Sequence, residues 1–199
     1  MTAVPQIWIL VPWVVWALSW MAASLWANPT VKRPGGAREI PYRIFTTLGF
    51  ILLIFVVVRR GGVRSQIFPA FLAQHYWTLP DEAGWAMVAL ATLGFLFCWW
   101  ARLHLGRLWS GSITRKEGHR VVDTGPYALV RHPIYTGLLT AGLATMVVRG
   151  DLGAIIGFIS LTLGYYMKAR VEEGFLRQEL GASDYDAYAA RVPMLVPFT

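Results

Sequence analysis

The sequence is short of almost everything a water-soluble enzyme of its size needs. Only 15% of its 199 residues are charged, against 56% that are hydrophobic, and so little polar surface cannot coat a folded domain in water. It has 1 cysteine, Cys98, which excludes an internal disulfide and a cysteine-rich zinc site. The histidines show no metal-ligand spacing, since His75 and His104 stand apart from His119 and His132, and no metal is expected. A Gly-rich strand-turn-helix fingerprint is missing too, which argues against a Rossmann-type nucleotide site. Negative charge is scarce: 11 Asp and Glu face 18 Lys and Arg, a formal net charge of +7. No nucleic-acid module accompanies that basic balance, and membrane-flanking Lys and Arg account for it, so nucleic acid is not expected as a partner.

Long apolar runs are what the chain does have. The first, from about Val4 to Ala27, contains no charge; it is too long and too rich in Trp for a cleaved signal segment, and no Lys or Arg precedes it. Others lie at roughly Tyr42–Val58, Gly84–Leu103, Pro133–Val148 and Leu152–Met167, separated by Gly, Pro and charged residues. The pattern predicts an all-α integral membrane protein. It has about five transmembrane helices, a helical hairpin near the C-terminus and a cytoplasmic C-terminal helical tail. Each of the last two runs is roughly 16 residues, ~24 Å of helix, short for a hydrocarbon core of ~30 Å. Only Arg149, Gly150 and Asp151 join them, which makes them antiparallel neighbours. The spacings Gly137/Ala141 and Gly153/Gly157 predict a close approach between those two helices.

Basic residues set the orientation. Lys32, Arg33, Arg38 and Arg43 follow the first run; Arg102, Arg107, Arg115, Lys116, Arg120 and Arg131 follow the third; Lys168, Arg170, Arg177 and Arg191 lie in the tail. The positive-inside rule makes all three regions cytoplasmic, with Arg59, Arg60 and Arg64 dissenting. The N-terminus is then outside and the C-terminus inside, in a bacterial-type inner membrane. One membrane domain covers 1–199, with N-terminal spans and an interfacial loop in 1–82 and a catalytic half in 83–199. Within that half, loop 106–137 and tail 168–199 are the functional segments. Trp85 and the pair Trp99/Trp100 bracket the third run as interfacial belts do, while Trp13, Trp16 and Trp20 share a face of the first, where packing or lipid contact outweighs ligand stacking. Phe68, Phe71, Leu72, Tyr76 and Trp77 suit a segment lying along the interface.

Residues 119–137 form the one dense polar and turn-forming cluster between apolar stretches. Pro133 fits the first position of a helix, so a helix N-terminus points into the loop, where its N–H groups and dipole favour an anion beside Arg131 and His132. Gly125-Pro126 makes a turn that presents Tyr127. Taken singly these residues have plainer uses: Arg131 can meet a lipid phosphate, and Tyr127 can cap the bilayer. In the tail, Glu172-Glu173 emerge beside Lys168 and Arg170. Lys168 and Glu172 share a helix face, and a surface ion pair is the ordinary outcome. The functional alternative has Glu172 accepting ligand hydroxyl or amine donors while Lys168 or Arg170 meets an acceptor anion. Spacing does not choose between them.

Together the residues resemble a known family. His119-x-Val-Val, Gly125-x-Tyr127, Arg131-His132-Pro133-x-Tyr135-x-Gly137, Glu172-Glu173, Leu180-Gly181, Tyr185, Tyr188 and Pro197 are similar to the isoprenylcysteine carboxyl methyltransferase family and its phospholipid methyltransferase relatives. The ordered motifs cover roughly residues 100–199; the N-terminal half matches only in hydropathy. The resemblance implies an S-adenosylmethionine-dependent membrane methyltransferase acting on a lipophilic or prenylated acceptor among membrane lipids. It places the cofactor on His119, Arg120, Val121, Val122, Tyr127, Arg131, His132, Pro133, Ile134 and Glu172, with Arg131, His132 and Glu172 as the catalytic set. The family tends to have an Arg four residues before that Glu as a substrate contact. Here the position holds Lys168, with Arg170 nearby, and both are candidate substrate-binding residues.

Methyl transfer needs an in-line nucleophile at about 3–3.5 Å, so positioning and desolvation do most of the catalysis. A carboxylate acceptor is already ionised near neutral pH, whereas a lipid amine must first lose a proton. No dedicated base is evident, which favours O-methylation, although His132 or a cofactor carboxylate remains able to act as one. Three other readings stand beside this one: a phospholipid or amine N-methyltransferase, an NADPH-dependent membrane reductase and a non-catalytic membrane protein. The reductases usually carry an Asn-Tyr-x-Gly-Asp turn where this chain has Ile134-Tyr135-Thr136-Gly137-Leu138.

Overall fold

The computed structural model describes residues 4–25, 30–32, 36–55, 69–106, 109, 115–116 and 121–199. Helices α1 (Pro5–Trp8) and α2 (Leu10–Ser24) make one apolar rod. Helix α3 (Ile40–Phe50), which has a proline in its first turn, passes into a π-helical turn at Ile51–Phe55. Helix α4 (Asp81–Leu105) carries Asp81 and Glu82 in its first turn and Arg102 and His104 in its last, each sign matching the helix dipole. Helix α5 (Pro133–Arg149) stops at Gly150, which is left-handed with φ of 60°. The Asp151 side chain then caps α6 (Leu152–Leu180) by accepting from the Ala154 N–H at 2.8 Å. Helix α7 (Ala182–Arg191) follows. Strands β1 (Thr30–Lys32) and β2 (Arg115–Lys116) pair antiparallel, tying the segment after α2 to the segment after α4.

Among the described residues three helices are long and apolar enough to cross a membrane, Pro5–Ser24, Asp81–Leu105 and Leu152–Glu179, and the chain is a helical integral membrane protein. With 11 and 17 residues, α3 and α5 are shorter. The helix of the fifth run is longer than its apolar stretch. Helix α6 has 29 residues, ~43 Å of rod, because Lys168, Ala169, Arg170, Glu172 and Glu173 are good helix formers and carry the helix past the apolar stretch.

The glycines also work between different helices from those expected. A Cβ on Gly137 would lie 2.3 Å from the Gly94 carbonyl oxygen, so these two glycines let α4 and α5 cross in backbone contact. A Cβ on Gly49 would lie 2.7 Å from the Leu161 nitrogen, and one on Gly157 would lie 3.0 Å from the Leu53 nitrogen, so these seat α3 on α6. The two-residue turn of Gly150 and Asp151 already holds α5 beside α6. Close-packed glycines serve instead the pairs that no short connection holds together.

Aromatic rings fill the space between these pairs. Trp13 is buried and its Nε1 donates to Thr145 Oγ1 at 2.9 Å, while Trp16 stacks on Phe95 at 5.4 Å and Trp20 meets Trp99 and Trp109 edge-on. The tryptophans of α2 are thus packing residues, whereas Trp85 and Trp100 are exposed on α4 as an interfacial belt requires. At the hairpin end, buried Arg149 holds Asp151 through both carboxylate oxygens and donates to the carbonyls of Leu52 and Leu53 in the π-helical turn. Segment 69–80 hydrogen-bonds to the same hairpin through the Tyr76 N–H to Gly150 and the Leu152 N–H to Gln74, leaving Phe71 and Tyr76 exposed.

Candidate active site

The opposite end of α5 and α6 gathers the polar residues. Pro133 occupies the first turn of α5, and His132, at φ of −125° and ψ of 65°, is its non-helical N-cap. The C-terminal segment holds this corner. The Arg131 N–H donates to Pro193 and the His132 N–H to Met194, at 2.8 and 3.1 Å, and Thr136 Oγ1 donates to Leu195 at 2.7 Å. The Arg131 guanidinium pairs with Glu173 Oε1 at 2.7 Å and also donates to the carbonyls of Ala189 and Val192. It fastens α6 and α7 to the corner.

His132 lies between two carboxylates, with Nε2 3.2 Å from Glu173 Oε1 and Nδ1 3.8 Å from Glu172 Oε2. The same Glu172 oxygen accepts from the Tyr135 hydroxyl at 2.6 Å. Tyr135 stacks almost parallel on His132, centroids 5.2 Å apart, and on Tyr165 at 4.9 Å. The Lys168 ammonium stands over the Tyr135 ring at 5.1 Å and the Tyr42 ring at 5.9 Å, both within cation–π range. Arg170 is exposed, two positions and about 200° round the helix from Lys168.

The Gly125–Ala128 turn buries Tyr127 behind this group. Gly125 has φ of 58°, and a Cβ there would strike the His104 ring at 2.7 Å, so only glycine fits. The Tyr188 hydroxyl donates to the Tyr127 carbonyl at 2.7 Å. Burial first, and the neighbouring Glu172 charge second, hold the Tyr127 phenol well above its ordinary pKa, so it stays protonated through the neutral range. Val121 packs on the Tyr185–Tyr188–Val192 cluster, Val122 is half-buried, and the Ile134 carbonyl accepts from Cys98 Sγ at 3.2 Å. His119 and Arg120 lie outside the described residues.

The structure therefore brings Arg131, His132, Glu172 and Lys168 into one group and leaves Arg170 outside it. Sequence reasoning missed Glu173, Tyr135 and Tyr42. The first two were visible as members of motifs, but their roles depend on which groups they face. Tyr42 gave no signal, because its partner lies 126 positions along the chain. Arg102 was counted only as an orientation marker. It is wholly buried, donates to the carbonyls of Gly106 and Ala23 and covers the Trp109 ring at 4.4 Å, pinning the end of α4 to α2.

Residues 87–178 match the model of the isoprenylcysteine carboxyl methyltransferase (ICMT) family. The chain is 33% identical over 152 residues to protein-S-isoprenylcysteine O-methyltransferase B of Arabidopsis thaliana, covering 75% of this chain and 74% of that protein. It is also 33% identical over 171 residues to the nickel-cobalt-cadmium resistance protein NccN of Alcaligenes xylosoxydans xylosoxydans, covering 83% and 72%. A probable protein-S-isoprenylcysteine O-methyltransferase of Oryza sativa subsp. japonica is 31% identical over 160 residues, covering 75% and 76%. The matched stretch contains Tyr127, the Arg131-His132-Pro133 corner and Glu172-Glu173, and the chain belongs to the isoprenylcysteine carboxyl methyltransferase family, a membrane methyltransferase.

Proposed function

We propose that the protein transfers a methyl group from S-adenosylmethionine to the carboxylate of a lipophilic, isoprenylcysteine-type acceptor. The observation that carries this reading is the joining, through the Tyr135 side chain, of Glu172 and His132 on one side to Lys168 on the other. The residues fit the cofactor. Glu172 is 28% exposed and has acceptor capacity beyond its bond to Tyr135, suited to ligand hydroxyl or amine donors. Val121, Val122, Pro133 and Ile134 offer an apolar wall, Tyr127 a neutral phenol, and His119 and Arg120 complete the set by family resemblance. When bound, the cofactor supplies a methyl group on a cationic sulfur.

The chain's own groups then have separate tasks. Arg131 and Glu173 fix the corner that carries His132. Glu172 and Tyr127 hold the donor, while Lys168 neutralises and orients the acceptor carboxylate. Such an acceptor is ionised near neutral pH, so no side chain has to remove a proton. The surrounding apolar residues exclude water and so strengthen each of these electrostatic contacts. In the arrangement we infer, α3 and α5 span as well, giving five spans. The Arg131 corner and the tail face the cytoplasm of a bacterial-type inner membrane, the N-terminus is outside, and residues 83–199 are the catalytic half.

The test is to titrate the purified protein in detergent with S-adenosylmethionine and NADPH side by side, then assay labelled methyl transfer to a farnesylcysteine analogue. Binding of S-adenosylmethionine with transfer to the analogue is expected. Binding of NADPH alone sinks the reading, and transfer to an amine lipid instead replaces the acceptor with that of an N-methyltransferase.

A further inference from the structure

Tyr135 touches both halves of the site. Its hydroxyl is committed to Glu172 Oε2 at 2.6 Å. One ring neighbour is the His132 imidazole, 4° from parallel, and another is Tyr165. Lys168 stands over the same ring. The ring is therefore fixed by stacking, and its two chemical faculties point to different clients. The phenol orients a carboxylate, and the π-face holds an ammonium.

We infer that Tyr135 is a positioning residue that aligns methyl donor and acceptor, its hydroxyl setting Glu172 for the donor and its ring setting Lys168 for the acceptor. The inference rests on the donor and acceptor assignments proposed above. Physical chemistry separates the two actions. Without the hydroxyl, Glu172 loses the charge-assisted hydrogen bond that orients it, but the ring still attracts the ammonium. Without the ring, both are lost. In-line displacement punishes small misplacements heavily, so the combined loss falls on kcat as well as on binding.

The experiment compares Tyr135→Phe with Tyr135→Leu in the full-length protein in detergent, with melting temperature and gel-filtration profile as folding controls. Cofactor affinity is read by titration without any acceptor. Tyr135→Phe should weaken S-adenosylmethionine binding roughly tenfold or more, the scale of a hydrogen bond to a charged group, and should leave acceptor KM within about twofold. Glu172→Gln combined with Tyr135→Phe should be no weaker in cofactor binding than the poorer single variant, because both changes act on the donor through the same Glu172 carboxylate. Tyr135→Leu should add a rise in acceptor KM and a fall in kcat, measured on the farnesylcysteine analogue or, if that is not methylated, on the amine lipid that is.

A wild-type protein that ignores the farnesylcysteine analogue overturns the acceptor class and leaves the donor measurements to decide the role of Tyr135. Unchanged cofactor affinity in Tyr135→Phe overturns that role, as does an equal effect of the Phe and Leu variants on acceptor KM.

Discussion

At the residue scale, the two acidic neighbours have different partners. Glu173 is 13% exposed and engages both Arg131 and His132 through one oxygen, whereas Glu172 is 28% exposed and is partnered by Tyr135. Glu172→Gln should weaken S-adenosylmethionine binding by about 1.5–3 kcal/mol, the range for a hydrogen bond to a charged group, with little change in melting temperature; isothermal titration and a thermal melt check both parts. On the same helix, Lys168→Ala should lower kcat/KM for a carboxylate acceptor while leaving cofactor affinity nearly intact. Lys168→Arg should retain or improve turnover, since a planar fork grips a carboxylate better than an ammonium does. Arg170→Ala should be silent because that side chain is exposed away from the group. A costly Arg170→Ala with a silent Lys168→Ala, in the same steady-state assay, would reverse the two roles.

At the element scale, stability rests on two helix crossings and one buried ionic lock. Gly137→Ala puts a methyl 2.3 Å from a backbone oxygen of α4, where no side chain can move aside. Overpacking of this kind costs about 1–3 kcal/mol, and a lower melting temperature in detergent should report it. Arg149→Ala should cost more, about 3–5 kcal/mol, because it strands buried Asp151 and frees the carbonyls of Leu52 and Leu53 in the π-helical turn. The lock lies at the far end of α5 from Arg131. Its loss should therefore depress the thermal midpoint more than the cofactor affinity of the protein that remains folded, a difference that melting and titration of one preparation resolve.

At the scale of the whole molecule, the expected two-sidedness can be tested with thiols. Cys98 is fully buried, and Cys98→Ala provides the background. Glu82 and Ala182 are both exposed, at the starts of α4 and α7. In sealed membrane vesicles, cysteines placed at these two positions should label from opposite faces, Ala182→Cys from the cytoplasmic one. Labelling of both from one face would mean that the hairpin and the tail share a side. Gly150 is a poor reporter, because its left-handed backbone packs on Trp77 and a Cβ there would lie 2.3 Å from a carbonyl oxygen.

Apolar runs without charge determine membrane helices whatever they pack against, since the bilayer itself demands satisfied backbone groups. The three long apolar helices found among the described residues, the hairpin at Gly150 and the helix start at Pro133 were therefore legible in the sequence. So was the polar corner at Arg131-His132, because such groups are out of place in an apolar chain. Which faces meet was a different matter. Gly137 lines up with Gly94 and Gly157 with Leu53 only after the helices have packed. Helix α6 runs on past Met167 because helix propensity continues where hydropathy stops. Which of Glu172 and Glu173 pairs with Arg131, which of Lys168 and Arg170 stands over the Tyr135 ring, and the bond of Tyr135 to Glu172 were decided by tertiary structure alone. Adjacent residues on a helix point about 100° apart, and which direction holds a partner is a property of the neighbouring helix, not of the local sequence.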